Sequence, residues 1–226
     1  MRFAIAVIAL LACCGCRTFR SGPYTDRDRY AGPPGELVQG MIGVTLLDSP
    51  SLEVPATGDL LDDDEFSTFP MAAAFYMLPL RGGEGDQQLG FEFGLSATLR
   101  GDADFRSGVG GTTVVENDIS LLDASVGLYY NRFLPGGFRF YAGAGPLLQY
   151  GEVELELLQG VNTLEFEDEG VGLGYYARTG LEIELSPSLY AGFGVRWLDS
   201  YVDLGEGLAD FEYEALQIAF SVTSGY

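Results

Sequence analysis

The 226-residue chain contains no histidine and no lysine, and all 12 of its basic residues are arginines. Without histidine, it lacks the commonest general base and the commonest protein metal ligand. Without lysine, it lacks the residue that forms Schiff bases and the residue that binds phosphate in a P-loop. This composition excludes most familiar enzyme classes. We therefore predict a protein that is not an enzyme, with no catalytic residue and no cofactor.

All three cysteines lie near the start of the sequence, within residues 13–16. The remainder of the chain can form no disulfide and contains no cysteine nucleophile. Basic residues are also scarce, and the formal net charge is −21. That charge excludes nucleic-acid binding through a basic surface, and a hydrophobic content of 47% excludes ordinary disorder.

The first residues resemble an export signal. Arg2 precedes the apolar run 3–12, which is too short to span a bilayer but has the length of a signal h-region. The run ends in Leu10-Leu11-Ala12-Cys13, which resembles the bacterial lipobox. We predict a signal peptide over residues 1–12 and lipidation of Cys13. Cys16 is a second candidate for lipidation, and a plain secretory signal is the other alternative.

Residues 13–35 are predicted to form a lipid-anchored flexible tether, because glycine and proline recur through this segment. It also carries four arginines, at positions 17, 20, 27 and 29. Their charge suits anionic lipid head groups, although a solvated linker without a partner is an equal alternative.

From residue 36 onwards the hydrophobic pattern has a period of two, which is typical of β-strands with two different faces. Eight such segments can be recognised, near residues 36–47, 67–80, 88–100, 122–130, 138–150, 171–185, 189–197 and 216–223. The connections alternate between short turns, near 81–87, 134–137 and 186–187, and long segments, near 48–66, 101–118, 152–169 and 200–212. An even number of strands with this alternation predicts an all-β, eight-stranded antiparallel up-and-down transmembrane β-barrel over residues 36–226.

The final strand carries Leu216, Ile218, Phe220 and Val222 on one face and ends near the aromatic Tyr226. With the strand pattern and the loop asymmetry, it makes the chain resemble the small eight-stranded outer-membrane barrels, such as the transmembrane domain of outer-membrane protein A and the outer-membrane protein W family. The resemblance implies an outer-membrane location, contact with outer-membrane lipids and assembly by the barrel-assembly machinery. It also implies periplasmic termini and extracellular long loops.

Aromatic residues form two groups near the strand ends, as interfacial girdles do. The group at the short turns comprises Tyr129, Tyr130, Phe133, Phe138, Phe140, Tyr141, Tyr190 and Tyr226. The group at the long loops comprises Phe66, Phe69, Tyr150, Trp197, Tyr201, Phe211 and Tyr213.

The four long segments, with the last taken as 199–214, hold 24 of the 33 acidic residues and one arginine, Arg106. The simplest interpretation is solvated, mobile anionic loops. The alternative is binding of Ca²⁺ or Mg²⁺, which carboxylate oxygens suit, either as bridges to lipopolysaccharide phosphates or at the cluster Asp59, Asp62, Asp63, Asp64 and Glu65.

The polar faces of the strands carry four acids and four arginines. They are Glu92, Arg100, Asp123, Arg139, Arg178, Glu182, Glu184 and Arg196. Since the interior of an eight-stranded barrel is just wide enough to be filled by side chains, we predict that these residues form an ion-pair network that plugs the lumen. Glu182 and Glu184 also resemble a glycosidase carboxylate pair, but their setting among arginines favours structural pairing.

These patterns favour a non-enzymatic outer-membrane barrel that contributes to envelope structure, surface binding or minor solute passage. A soluble lipocalin-like periplasmic lipoprotein that binds an apolar ligand is the alternative. A histidine-free hydrolase that uses the inward carboxylates is the least favoured hypothesis.

Cys13→Ser should abolish metabolic labelling with palmitate while the barrel still assembles, because the strands carry their own membrane affinity. Label that persists until Cys16 is also replaced would move the lipidation site to Cys16.

Overall fold

A computed structural model describes residues 35–54, 59–62, 67–80, 86–101, 106–107, 112–159, 162–204 and 211–225. These residues form ten strands: β1 (Leu37–Val54), β2 (Asp59–Asp62), β3 (Ser67–Pro79), β4 (Gln87–Gly101), β5 (Arg106–Ser107), β6 (Thr112–Leu134), β7 (Phe138–Gln159), β8 (Asn162–Ser186), β9 (Leu189–Leu204) and β10 (Phe211–Gly225). Within the same residues, no helix is long and apolar enough to cross a bilayer. The predicted signal peptide and tether, with Cys13 and Cys16, lie outside the described residues.

Eight strands close into an antiparallel ring in the order β1, β3, β4, β6, β7, β8, β9, β10. The ring closes where β10 pairs with β1, in a register that runs from Leu37↔Gly225 to Leu52↔Phe211. The short strands β2 and β5 extend from the top of β1 and stand outside the ring. Closure gives the backbone of every ring strand a partner on each side, so the closed part of the wall has no sheet edge. The predicted eight-stranded antiparallel barrel is confirmed.

The short connections lie at one end of the barrel, which we call the turn end, and the opposite end is the loop end. Between β6 and β7 the chain reverses through Gly136 and Gly137, whose φ angles of 86° and 79° favour glycine. Between β3 and β4, the backbone N–H of Leu80 donates to the carbonyl of Leu89 at 3.0 Å. These contacts fix the strand registers that place the interior side chains.

The prediction of a long loop over residues 152–169 is wrong. β7 continues to Gln159 and β8 begins at Asn162, and the two strands stay in register from Glu152↔Glu169 to Gln159↔Asn162. Strand β6 likewise begins at Thr112, inside the segment 101–118 that we predicted as a loop. The acidic composition suggested loops, but cross-strand backbone hydrogen bonds do not require apolar side chains, and these strands extend past the apolar wall.

The outer wall of the barrel is apolar over much of its height. Large hydrophobic side chains point outward from every ring strand, and Leu173 and Phe193 expose 72% and 67% of their surface. On β7 the apolar outer face runs from Phe138 to Tyr150. At 3.4 Å per residue and a strand tilt of about 40°, this face rises about 30 Å, which matches the hydrocarbon thickness of a bilayer.

Towards the loop end, the polarity of the two faces reverses. Above Tyr150, the outward positions of β7 and β8 are Glu152, Glu154, Glu167 and Glu169, none of which is buried. The inner wall from about the level of Leu147 towards the loop end is mainly apolar instead. Its members form one buried cluster, which we call the upper core: Leu47, Phe69, Ile119, Leu121, Leu147, Val153, Tyr176, Leu198, Val202, Leu204, Tyr213 and Ala215. The part of the barrel beyond this reversal therefore has the polarity of a water-soluble domain.

The burial of four aromatic side chains corrects part of the predicted aromatic girdles. Tyr129 and Tyr141 at the turn end are buried in the interior, as are Phe69 and Tyr213 at the loop end. Tyr150 and Tyr201 do point outward. A pattern of period two separates two faces but does not say which face is inside, so interior and exterior aromatics were grouped together.

Phe93→Arg should destabilise the barrel folded in lipid by about 2–4 kcal/mol, because it places a charge on the apolar part of the outer wall. Glu167→Arg, on the outer face beyond the reversal, is the matched control and should not lower the free energy of unfolding, because it places a charge in water among carboxylates. Urea titration in lipid vesicles measures both. Equal losses in the free energy of unfolding at the two positions would contradict the reversal of polarity along the outer wall.

Candidate functional site

The candidate site is the interior of the barrel between the turn end and the upper core. Three buried ion pairs are stacked there along the barrel axis. From the turn end upward they are Arg139–Glu182, Arg178–Glu92 and Arg196–Asp123. Every arginine in these pairs comes from β7, β8 or β9, where alternation directs the side chain inward.

The lowest pair joins neighbouring strands, since Arg139 on β7 lies opposite Glu182 on β8. Arg139 Nη1 donates to Glu182 Oε2 at 2.5 Å. The other carboxylate oxygen accepts from Gln39 at 2.8 Å, from Ser221 at 2.7 Å and from Thr223 at 2.9 Å. Both oxygens of Glu182 are thus engaged, which is what a buried carboxylate requires.

The central pair spans the lumen. Arg178 on β8 donates through Nε to both oxygens of Glu92 on β4, each at 3.0 Å, and through Nη2 to Oε2. The Tyr176 hydroxyl donates to the same carboxylate at 2.7 Å. The remaining Nη1 group of Arg178 donates to the amide oxygen of Gln39. Gln39 therefore connects the central pair to Glu182, a role that sequence reasoning missed because Gln39 lies in a weakly alternating strand.

The upper pair also crosses the lumen. Arg196 on β9 contacts Asp123 on β6 through two parallel hydrogen bonds, Nη2 to Oδ1 at 2.6 Å and Nη1 to Oδ2 at 3.0 Å. Gln217 accepts from Nη1 at 3.3 Å and donates to Thr45 at 3.2 Å. This bidentate geometry is among the stronger forms of an arginine–carboxylate contact.

Aromatic rings fill the space between the ion pairs. The guanidinium carbon of Arg178 lies 3.8 Å from the centroid of the Phe75 ring and 5.1 Å from that of Tyr141. Arg196 lies 4.9 Å from the centroid of Tyr176. Each contact is a cation–π arrangement that excludes water while leaving the guanidinium edge free for its carboxylate.

Glycines on the inner wall make room for these large side chains. A Cβ atom at Gly143 would lie 2.2 Å from Glu92 Oε1, and one at Gly194 would lie 2.0 Å from the Tyr141 hydroxyl. The sequence shows this signal, since glycines share the polar faces of β7, β8 and β9 with the arginines and tyrosines. It indicates close approach across the lumen rather than an open channel.

The structure brings together six of the eight residues predicted for the lumen network. Glu184 shares their strand face, but it is half-buried at the turn end, where its backbone N–H donates to the Gly137 carbonyl at 2.7 Å. It takes no part in the three stacked pairs. The side chain of Arg100 lies outside the described residues. Because Glu182 is saturated by Arg139 and its neighbours, the geometry favours structural pairing over a glycosidase pair.

These contacts define an eight-stranded antiparallel barrel with a filled interior, the architecture of the small outer-membrane barrels. No protein-family model matches the chain, and no curated protein matches it. Among solved structures, the chain is similar to the outer membrane protease OmpT from Escherichia coli, with 8% identity, a TM-score of 0.50, and coverage of 86% of this chain and 97% of that one.

Two further similar structures are the outer membrane protein OprG from Pseudomonas aeruginosa and neisserial surface protein A. OprG shares 12% identity at a TM-score of 0.46, over 86% of this chain and 99% of that one. Neisserial surface protein A shares 14% identity at a TM-score of 0.44, over 85% of this chain and 97% of that one. At these identities, a likeness concerns the fold alone.

Arg178→Met should destabilise the barrel by about 3–5 kcal/mol, because it leaves the Glu92 carboxylate buried without its partner. Adding Glu92→Gln should restore most of the loss. Arg132→Met, at an exposed arginine of β6, is the matched control and should cost no more than about 0.5 kcal/mol. Equilibrium unfolding of five proteins provides the measurement: the unmodified chain, Arg178→Met, Glu92→Gln, the double variant and Arg132→Met. A double variant as unstable as the sum of its single variants would show that the two residues are not coupled.

Proposed function

We propose that this chain is a non-enzymatic protein of the bacterial outer membrane, a closed barrel that supports envelope structure and displays an acidic surface. The apolar outer wall supports a position in lipid, and the export signal predicted from residues 1–12 supports transport to the envelope. In this arrangement the turn end and both termini face the periplasm, and the acidic loop end is extracellular.

The observation that carries the proposal is the filled lumen. Arg139, Arg196, Glu92 and Glu182 are each no more than 1% exposed, so water has almost no access to these side chains. The upper core closes the lumen again on the loop side with apolar side chains. Two successive layers of opposite character thus seal the barrel, which supports a structural role over solute passage.

The proposal that the protein is not an enzyme rests on its chemistry. Histidine is absent from the whole sequence, and cysteine is absent after residue 16. The buried carboxylates are held by arginines, so none is placed as a free base or nucleophile. The OmpT structure belongs to a protease, and its likeness to this chain concerns the fold alone.

The face polarity discriminates against the lipocalin-like alternative. A lipocalin calyx places apolar side chains inside and polar ones outside. In the part of this barrel that contains the ion pairs, the arrangement is the opposite: Phe93 and Leu173 point outward while Glu92 and Arg178 are buried. A soluble protein would expose this apolar wall to water.

Divalent cations remain predicted partners of the acidic segments. Side chains of the cluster from Asp59 to Glu65 lie outside the described residues. Carboxylate oxygens of Glu152, Glu154 and Glu167 lie within 4.8 Å of one another on the outer face beyond the reversal. These three carboxylates are a second candidate cation site, on strands that project from the barrel.

The mature protein should fractionate with the outer membrane of a bacterial host and migrate faster in SDS when unboiled than when boiled, since a closed barrel keeps its hydrogen bonds until heated. Recovery in the soluble periplasmic fraction without detergent would contradict the proposed location.

In planar bilayers, the purified protein should show only small and intermittent conductance, because the lumen is filled. Truncation of Arg178 or Glu182 to alanine should raise it. Large and steady single-channel currents from the unmodified protein would overturn the sealed barrel. Turnover of a lipid or peptide substrate that is lost in Glu182→Gln would overturn the proposal that it is not an enzyme.

A further inference from the structure

The β7–β8 hairpin rises beyond the neighbouring strand β9. Strand β8 pairs with β7 along its whole length, up to Gln159↔Asn162. Its pairing with β9 begins only at Gly170↔Leu204. Among the described residues, no strand pairs with Asn162–Glu169 on the β9 side. This segment is therefore an eight-residue strand with one edge open.

The chain that follows β9 is too short to cover this edge. Only six residues separate Leu204 from Phe211, and Phe211 pairs with Val202 on the neighbouring strand. Because both ends of this connection lie on adjacent strands, it extends beyond Leu204 by the length of about three residues at most before the chain must turn back. It cannot reach the tip of β8, so residues 162–166 are open whatever its path, and no described strand pairs with 167–169 on this side either. An open edge of this length presents unpaired N–H and C=O groups that a further strand can bind.

The outer face beside this edge is uniformly acidic. Glu165, Glu167 and Glu169 are exposed on β8, and Glu167 and Glu169 lie directly opposite Glu154 and Glu152 of β7. Like charges directly opposite one another on a sheet are destabilising. No arginine or lysine occurs between residues 140 and 177, so this hairpin contains no basic residue of its own. A strand that adds to β8 would place its alternate side chains beside these three glutamates.

We propose that the open edge of β8, residues Asn162–Glu169, binds a basic extended polypeptide segment by β-strand addition. The backbone of the segment pairs with the free edge, and its arginines or lysines at every second position lie beside Glu165, Glu167 and Glu169. A metal ion or a polyamine satisfies the charge but leaves the backbone groups of the edge unpaired. The combination of edge and charge thus fits a basic strand better than a small cation. This surface adds a partner to the proposed envelope role, and its test does not depend on membrane location.

The experiment measures binding of a short fluorescent peptide to the full barrel in nanodiscs. The probe has arginine at every second position, with threonine and valine between. A control peptide of the same sequence carries N-methyl groups on alternate backbone nitrogens, which keep the charge and remove the hydrogen bonds. We expect the control to bind about tenfold more weakly, and hydrogen exchange at residues 162–169 to slow only with the unmodified probe.

Variants of the barrel test whether probe binding depends on where the acidic residues lie. E165Q/E167Q/E169Q should weaken probe binding about tenfold, since three cross-strand charge pairs are lost. The matched control D199N/D203N/E212Q removes three acids from the outer faces of β9 and β10 and should weaken it less than about threefold. Heat-dependent migration in SDS confirms that each variant folds. Equal affinity for the two peptides, or equal loss in the two triple variants, would mean that the surface attracts charge only and would overturn strand addition. Absence of probe binding would overturn it as well, and neither result would alter the fractionation or conductance tests of the proposed function.

Discussion

The Arg178–Glu92 contact is the interaction on which the interior depends. It joins β8 to β4 across the lumen, so it sets the distance between walls that are not neighbours in the sheet. Arg178 also holds Gln39 and lies over Phe75, which ties β1 and β3 to the same point. A charge at this depth is stable only while its partner remains, because desolvation of either ion alone costs several kcal/mol. Other lumen side chains are arranged around that requirement.

The reversal of face polarity follows from having two solvents along one strand. In contact with lipid, the outer face must be apolar, and the charged residues can only be satisfied inside. Beyond the lipid the outer face meets water, and the same strands can place leucine and valine inside, as Val153 and Val202 show. On the outer face of β7, the change from an apolar surface to a charged surface lies between Tyr150 and Glu152, which are two residues apart. Strands that project beyond the bilayer are stabilised by an apolar core, since otherwise their inner faces would be solvated and unpacked.

The sequence predicts the barrel well because a period of two survives in every ring strand, and because the turns at Gly136 and near Ser188 are short enough to force antiparallel neighbours. It also predicts six interior charges, since a charged side chain on a strand whose other face is uniformly apolar must point into the lumen. It fails for Tyr129 and Tyr141, whose side chains suit either face. It fails also for residues 152–159, where acidic composition resembles a loop while the backbone continues the ladder. The sequence does not predict which carboxylate pairs with each arginine, because Arg178–Glu92 and Arg196–Asp123 connect strands that are three places apart in the ring.

The strand character of the acidic segments changes what their charge can do. Carboxylates on a mobile loop adapt to any cation and lose conformational entropy when they bind. Carboxylates on β7 and β8 have fixed positions, about 7 Å apart along each strand and about 5 Å apart across the pair. Their mutual repulsion is already present in the free barrel, held in place by the backbone ladder from Glu152↔Glu169 to Gln159↔Asn162. A ligand whose positive charges have the same spacing relieves this repulsion, and the hairpin does not have to become ordered first. An extended chain with a basic residue at every second position has that spacing.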